Sequence, residues 1–203
     1  VTTTDDELAA RRRLGRAVRD LGHAAVGHHA PASELDAAAA DVELLAARLS
    51  VGAPRSRDPE QFGGQFDIAP PADGSVLDSM PDRPFSGAAS PWGVDMVVRR
   101  EGDLVVTEVV LRSAHEGAPG RSHGGIVSGT FDDLMGFVLH VERIRAFTGE
   151  LTVRYLAGTP IGVPITFRSW LRERVRRKLY IDADAVADGV TVATATAVFI
   201  AVQ

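Results

Sequence analysis

A chain of 203 residues, 45% apolar and 24% charged, can form one buried core with an appendage but not two large domains. Its net charge of -5 argues against a nucleic-acid surface, which needs a clustered positive excess. The lack of cysteine excludes disulfides, thiolate metal sites and a cysteine nucleophile, and no apolar run approaches the roughly 20 residues that span a bilayer.

The segment from Thr2 to Arg13 is acidic and then basic, without the apolar stretch of a signal peptide, so a cytoplasmic location is the expectation. Residues 1–50 have helical spacing. Leu14, Val18, Leu21 and Ala25 form one stripe. Leu35, Ala38, Val42, Leu45 and Leu49 form a second, with Ser33 as its N-cap. A helical hairpin is predicted, with apolar faces that something else must cover. Residues 51–91 hold most of the prolines among glycine, serine and aspartate, and predict a long irregular connection.

From residue 92 the pattern turns strand-like. Val94, Met96 and Val98 alternate before a Glu101-Gly102-Asp103 turn, and Val105, Thr107, Val109 and Leu111 follow it. Residues 124–139 then read as a helix, with Val127, Phe131, Leu134 and Val138 among apolar positions on nearly every side, so it should be buried. Four strands follow, marked by Leu151, Val153 and Tyr155; by Ile165, Phe167, Ser169 and Leu171; by Leu179, Ile181, Ala183 and Ala185; and by Val192, Thr194, Thr196 and Val198 after an Asp188-Gly189 turn. This order implies an α+β domain over residues 92–203, an antiparallel sheet wrapped around a central helix, with an N-terminal helical extension.

The helix entrance carries the chemistry. His123 precedes Gly124 and Gly125 where the first amides of a helix have no partner within it and the macrodipole is positive. Such amides can hold an oxygen that becomes negative during acyl transfer; alternatively, the glycines only permit a tight turn. Asp132 and Asp133 are the only charges inside the helix, and a buried carboxylate needs a reason. Asp132 shares its face with Ser128, Gly129, Met135 and Gly136, mostly small residues that leave room for a ligand or another backbone. The competing explanation, an ion pair with arginine, fits Asp133 better than Asp132.

His123-Gly124-Gly125, six further residues and then Asp132 resemble the signature of the phenylacetyl-CoA thioesterase-like branch of hot-dog enzymes. The lead-in from Glu116 to Gly120, the segment from Phe147 to Tyr155, the turn from Pro160 to Pro164, Arg177-Lys178-Leu179 and the closing strand are similar too. The likeness covers residues 92–203. It implies a hot-dog thioesterase acting on acyl-CoA without a cofactor or metal, as a homodimer or homotetramer with its site at a subunit interface. By the same resemblance, Gly124 polarises the thioester carbonyl and Asp132 of the other subunit serves as general base or nucleophile. Thr148 positions water, while His123, Gly125 and Ser128 contact substrate. Where some relatives carry asparagine or glutamine, six positions before the histidine, this chain has Gly117.

Arg177 and Lys178 belong to a basic run that is either a solvated face or a contact for the phosphates of coenzyme A. His23, His28 and His29 lack an acidic partner at ligand spacing and read as a solvated turn; His115 reads as structural. No Gly-x-Ser-x-Gly elbow and no phosphate-cradling Gly-Lys motif occurs. Two alternatives to hydrolysis remain: an enoyl-CoA hydratase type of lyase, and a non-catalytic acyl-CoA binding protein. No nucleic-acid or membrane partner is expected.

Overall fold

The structure, a computed structural model, describes residues 4–56, 64, 66, 69–78 and 80–202. Two helices come first, α1 (Asp5–Gly27) and α2 (Ala32–Ser50). Strands β1 (Arg99–Glu101) and β2 (Leu104–Val110) form a hairpin. A 3-10 turn (Ser113–His115) and the short hairpin β3 (Glu116–Ala118) and β4 (Arg121–Ser122) lead into α3 (Gly124–Glu142). The chain ends with β5 (Ala146–Tyr155), β6 (Pro164–Val175), β7 (Lys178–Ala187) and β8 (Val190–Ala201).

The long strands form one antiparallel sheet in the order β1-β2-β6-β7-β8-β5, which curves around α3. Alternation dictates the inner face. Ile165 and Phe167 of β6, Leu179 and Ile181 of β7, and Phe199 of β8 all point at the helix and are buried. Phe131 and Phe137 of α3 fill the centre, Phe131 meeting Phe167 edge-on at 5.2 Å; each such ring stabilises by roughly 1.5–3 kcal/mol through burial. Ala183, Ala185, Ala193, Ala195 and Ala197 take further inward positions, and their small side chains let the helix lie close. Arg143, in the left-handed region at φ 56, ends α3, and Asp188-Gly189 closes β7 onto β8 with both residues at positive φ, as the tight hairpin requires. No helix among the described residues is long and apolar enough to cross a membrane.

The amino-terminal half departs from the sequence pattern in three ways. First, α1 docks by a polar stripe rather than its apolar one. Gly15, Arg19 and His23 are buried, whereas Leu14, Val18 and Leu21 are exposed. Gly15 lies so close to the chain at Ala89 that an added Cβ would sit 2.5 Å from its carbonyl. Arg19 pairs with Asp95 at 2.7 Å and donates to the carbonyls of Ala88 and Ser90. His23, read from the sequence as solvated, accepts from the Ala114 N–H at 3.0 Å and meets the His115 ring at 4.6 Å. Second, α2 buries none of its residues, so the predicted second stripe has no cover among the described residues. Third, Val94, Met96 and Val98 do alternate inward, but the regular ladder begins only at Arg99.

Candidate active site

One face of α3 looks at the edge strand β5. Gly124, Ser128 and Asp132 succeed each other at four-residue steps, and β5 holds both ends of the row. Tyr155 Oη donates to the Gly124 carbonyl at 2.7 Å and lies 2.7 Å from Ser128 Oγ. The single phenol proton is committed to the carbonyl, so Ser128 must donate to Tyr155. At the other end Thr148 Oγ1 donates to Asp132 Oδ1 at 2.9 Å.

Simple alternation would put Thr148 and Tyr155 on opposite faces of β5, being an odd number of residues apart. A β-bulge between Thr148 and Glu150 resolves this. Thr148 pairs with Phe199 and Glu150 with Val198, which leaves Gly149 as the extra residue. Thr148 and the Leu151, Val153 and Tyr155 series therefore face α3 together.

At the helix entrance His123 is the N-cap, and its Nδ1 accepts from the Gly125 N–H at 3.0 Å. The neutral ring therefore carries its proton on Nε2. The Ile126 N–H donates to the His123 carbonyl at 3.0 Å, and the His123 N–H to the His115 carbonyl at 2.8 Å. Of the two glycine amides, Gly125 is thus taken by the histidine side chain, while the Gly124 N–H meets no acceptor among the described residues. A Cβ on Gly124 would approach Tyr155 Oη to 3.0 Å. Gly117 lies against the histidine, where a Cβ would come 2.8 Å from His123 Cα, so asparagine or glutamine does not fit there as the chain stands.

The two adjacent aspartates separate cleanly. Asp133 is buried and accepts from Arg83 at 2.6 Å and from the Ser86 N–H at 2.6 Å. Asp132 forms no salt bridge among the described residues and lines a cavity of about 190 Å³. Asp132, Gly136 and His140 make one wall, Thr148 and Phe199 a second. The third comes from the connection, including Phe66, Arg83 and Pro84. Arg83 lies over the Phe137 ring at 5.0 Å and against Gly136, where a Cβ would meet its guanidinium at 2.6 Å.

Arg83 and His140 were not singled out from the sequence. His140 had a signal, lying eight residues beyond Asp132 with only Gly136 between them on that stripe. Arg83 had none, because its partner is 50 residues away. Burial first, and the Arg83 guanidinium second, push the His140 pKa down to about 4. Arg177 and Lys178 occupy the β6–β7 hairpin, where Arg177 Nε donates to the Ala201 carbonyl at 2.9 Å. Lys178 is in register with Ile200, which is in register with Phe147, so the basic turn shares the Thr148 end of the sheet. Leu179 points inward, which puts Lys178 on the opposite face from the cavity.

No family model and no curated protein matches the chain. Solved structures do. A thioesterase superfamily protein matches over 94% of both chains, with TM-score 0.75 and 22% identity, so its length includes counterparts of the amino-terminal half. A hypothetical thioesterase protein from Streptococcus pneumoniae TIGR4, crystallised with coenzyme A, matches 54% of this chain and 90% of its own, with TM-score 0.51 and 18% identity. That protein has also been solved with an aspartate replaced by alanine and with a threonine replaced by alanine, at two positions sixteen apart. A Streptococcus mutans UA159 protein bound to acetyl-CoA matches 54% of this chain and 88% of its own, with TM-score 0.50 and 21% identity. Sheet, central helix and strand order together make this chain a hot-dog fold, the fold of the thioesterase superfamily structures that it matches.

Proposed function

We propose that the chain hydrolyses an acyl-CoA thioester to the free acid and coenzyme A, as a homodimer whose two sites each draw on both subunits. The observation that carries this reading is the contrast between neighbouring aspartates: Asp133 is neutralised by Arg83, while Asp132 faces a cavity and, among the described residues, meets only a threonine hydroxyl on one oxygen. A carboxylate held in this way can accept a proton from water. Thr148 fixes Oδ1 and leaves Oδ2 for the water. A thioester carbonyl has little resonance protection, so an oriented water and a polarising amide are enough to break its C–S bond. The open Gly124 amide, at the positive end of α3, is that polarising group.

The two groups cannot act together within one subunit. They stand eight residues apart on one helix, about 12 Å along its axis. Among the described residues strand β5 is at the edge of the sheet, bonded to β8 alone. Pairing β5 with β5 of a second copy about a two-fold axis would complete that edge. It would also lay the two α3 helices side by side in opposite directions, Gly124 of each towards Asp132 of the other. The paired substitutions in the pneumococcal thioesterase support the assignment, since Asp132 and Thr148 are separated by the same sixteen positions.

The test is thiol release from a panel of acyl-CoAs, with two inactive variants mixed. Asp132→Asn should lower kcat by about 10²–10⁴-fold, and Gly124→Pro, which lacks the amide, should be comparably impaired. Unfolded and refolded together in equal amounts, they should recover about a quarter of wild-type activity, because half of the dimers then hold one intact site of two. No recovery would mean that the site is not shared between subunits. Thiol release by none of the acyl-CoAs, or full activity in Asp132→Asn, would remove hydrolysis altogether.

A further inference from the structure

Among the described residues of the cavity wall, His140 is the one ionisable side chain that the hydrolytic reading leaves idle. It follows Asp132 by two turns on the same stripe of α3, with Gly136 between them. Phe66 and Phe137 flank its ring edge-on at 5.1 and 5.6 Å. Among the described residues neither ring nitrogen has a hydrogen-bond partner. The nearby cation, Arg83, is already neutralised by Asp133. Near pH 7 the ring is neutral and so offers one N–H and one lone pair. The residue is only half-buried on the cavity wall, so its nitrogens are not sealed off and can be met by a polar group that enters the cavity.

The cavity limits what that can be. At about 190 Å³ it is somewhat larger than the engineered cavity of about 150 Å³ that holds benzene in another protein, which corresponds to roughly six to eight non-hydrogen atoms. That capacity suits a chain whose polar group lies about six bonds beyond a carbonyl attacked near Asp132, with His140 two turns further along the same helix. Among the described residues that line the cavity Arg83 is the cation, and its pairing with Asp133 leaves it no call for a distal carboxylate.

We infer that this cavity receives the acyl group, and that His140 selects an acyl chain of this length carrying an uncharged hydrogen-bonding oxygen at its far end. The inference rests on the thioesterase reading of Asp132 but makes a separate claim about the pocket. His140 acts here as a specificity-determining residue, through a hydrogen bond to the substrate and not through proton transfer at the thioester.

Calorimetric binding of two hydrolysis-inert thioethers, S-hexyl-CoA and S-(ω-hydroxyhexyl)-CoA, tests it independently of turnover. The wild type should bind the hydroxylated chain about five- to tenfold more tightly, as one net hydrogen bond allows. His140→Phe should bind the two equally or prefer the plain chain. His140→Gln, which keeps a donor and an acceptor, should retain part of the preference. Equal binding by the wild type, or an undiminished preference in His140→Phe, overturns the inference. A wild-type preference lost in His140→Phe, without thiol release from either hexanoyl-CoA or ω-hydroxyhexanoyl-CoA, would uphold the pocket and sink the hydrolysis.

Discussion

Tyr155 Oη has one proton and two neighbours, and its position at the end of β5 makes it the clamp on the start of α3. It accepts from Ser128 and donates to the Gly124 carbonyl, so it fixes the orientation of the peptide units around the amide proposed to polarise the thioester. Tyr155→Phe removes both bonds and keeps the ring. The expected loss is about 1 kcal/mol of stability, net for a partly exposed hydrogen bond, or roughly 2–4 °C in Tm for a chain of this size. Turnover should fall by up to about tenfold while KM changes little, because the lost interaction orients a group that acts in the transition state. Thermal unfolding and steady-state kinetics on the same variant decide the matter. Unchanged kcat would relieve Tyr155 of any positioning role. Asp132→Asn should show the reverse pattern, with activity lost and Tm nearly kept, since that side chain is partly exposed and makes one hydrogen bond among the described residues.

Helix α3 serves two masters on adjacent stripes. Gly124, Ser128 and Asp132 face β5, whereas Gly129, Asp133 and Gly136 receive the connection that crosses the helix. Phe85 occupies the space above Gly129, where a Cβ would be 2.0 Å from its ring. Gly129→Ala must therefore expel Phe85 and should destabilise by about 1–3 kcal/mol, as overpacking does. Combined with Phe85→Ala it should cost less than the sum of the two single changes, because the clash is gone. Urea midpoints of the three variants measure this, and strict additivity would mean that Phe85 does not rest on Gly129. The small residues of this face were legible in the sequence as room for another backbone, but what fills it was not. Residue types mark a groove, while its occupant comes from 44 residues upstream through a segment without periodicity. The strands were legible for the opposite reason, since alternation at Ile165 to Leu171 and Leu179 to Ala185 is fixed by the two faces of a half-buried sheet. The bulge at Gly149 breaks that same rule, so the meeting of Thr148 with Asp132 rested on resemblance alone. On α1 the apolar spacing misled, because docking there is carried by Arg19 and His23 rather than by leucine.

Across the whole molecule, neutral histidines tie the amino-terminal half to the hot-dog domain. His23 and His115 each accept a backbone N–H on Nδ1, from Ala114 and from Arg112, and their rings touch. Burial is the main cause that lowers both pKa values, followed for His115 by the charge that His23 would carry and by Arg112. His115 is brought down to about 4, as is His140 on the cavity wall. In the unfolded chain these rings take up protons near pH 6.5. Above that value both states are neutral and the rings contribute no pH dependence. Between about 6.5 and about 4 the unfolded state binds more protons, so stability must fall as the pH falls, by at most about 1.36 kcal/mol per pH unit for each ring. The loss from His115 falls on the α1 contact first, because a proton there places positive charge beside His23 and Arg112. Amide hydrogen exchange should accordingly show α1 losing protection between about pH 6 and pH 4.5 while β7 keeps it. His115→Gln should flatten the fall in the urea midpoint over the same range. Simultaneous loss of protection in α1 and β7, or a midpoint in His115→Gln that drops as steeply as in the wild type, would show that the histidine pair does not govern this attachment.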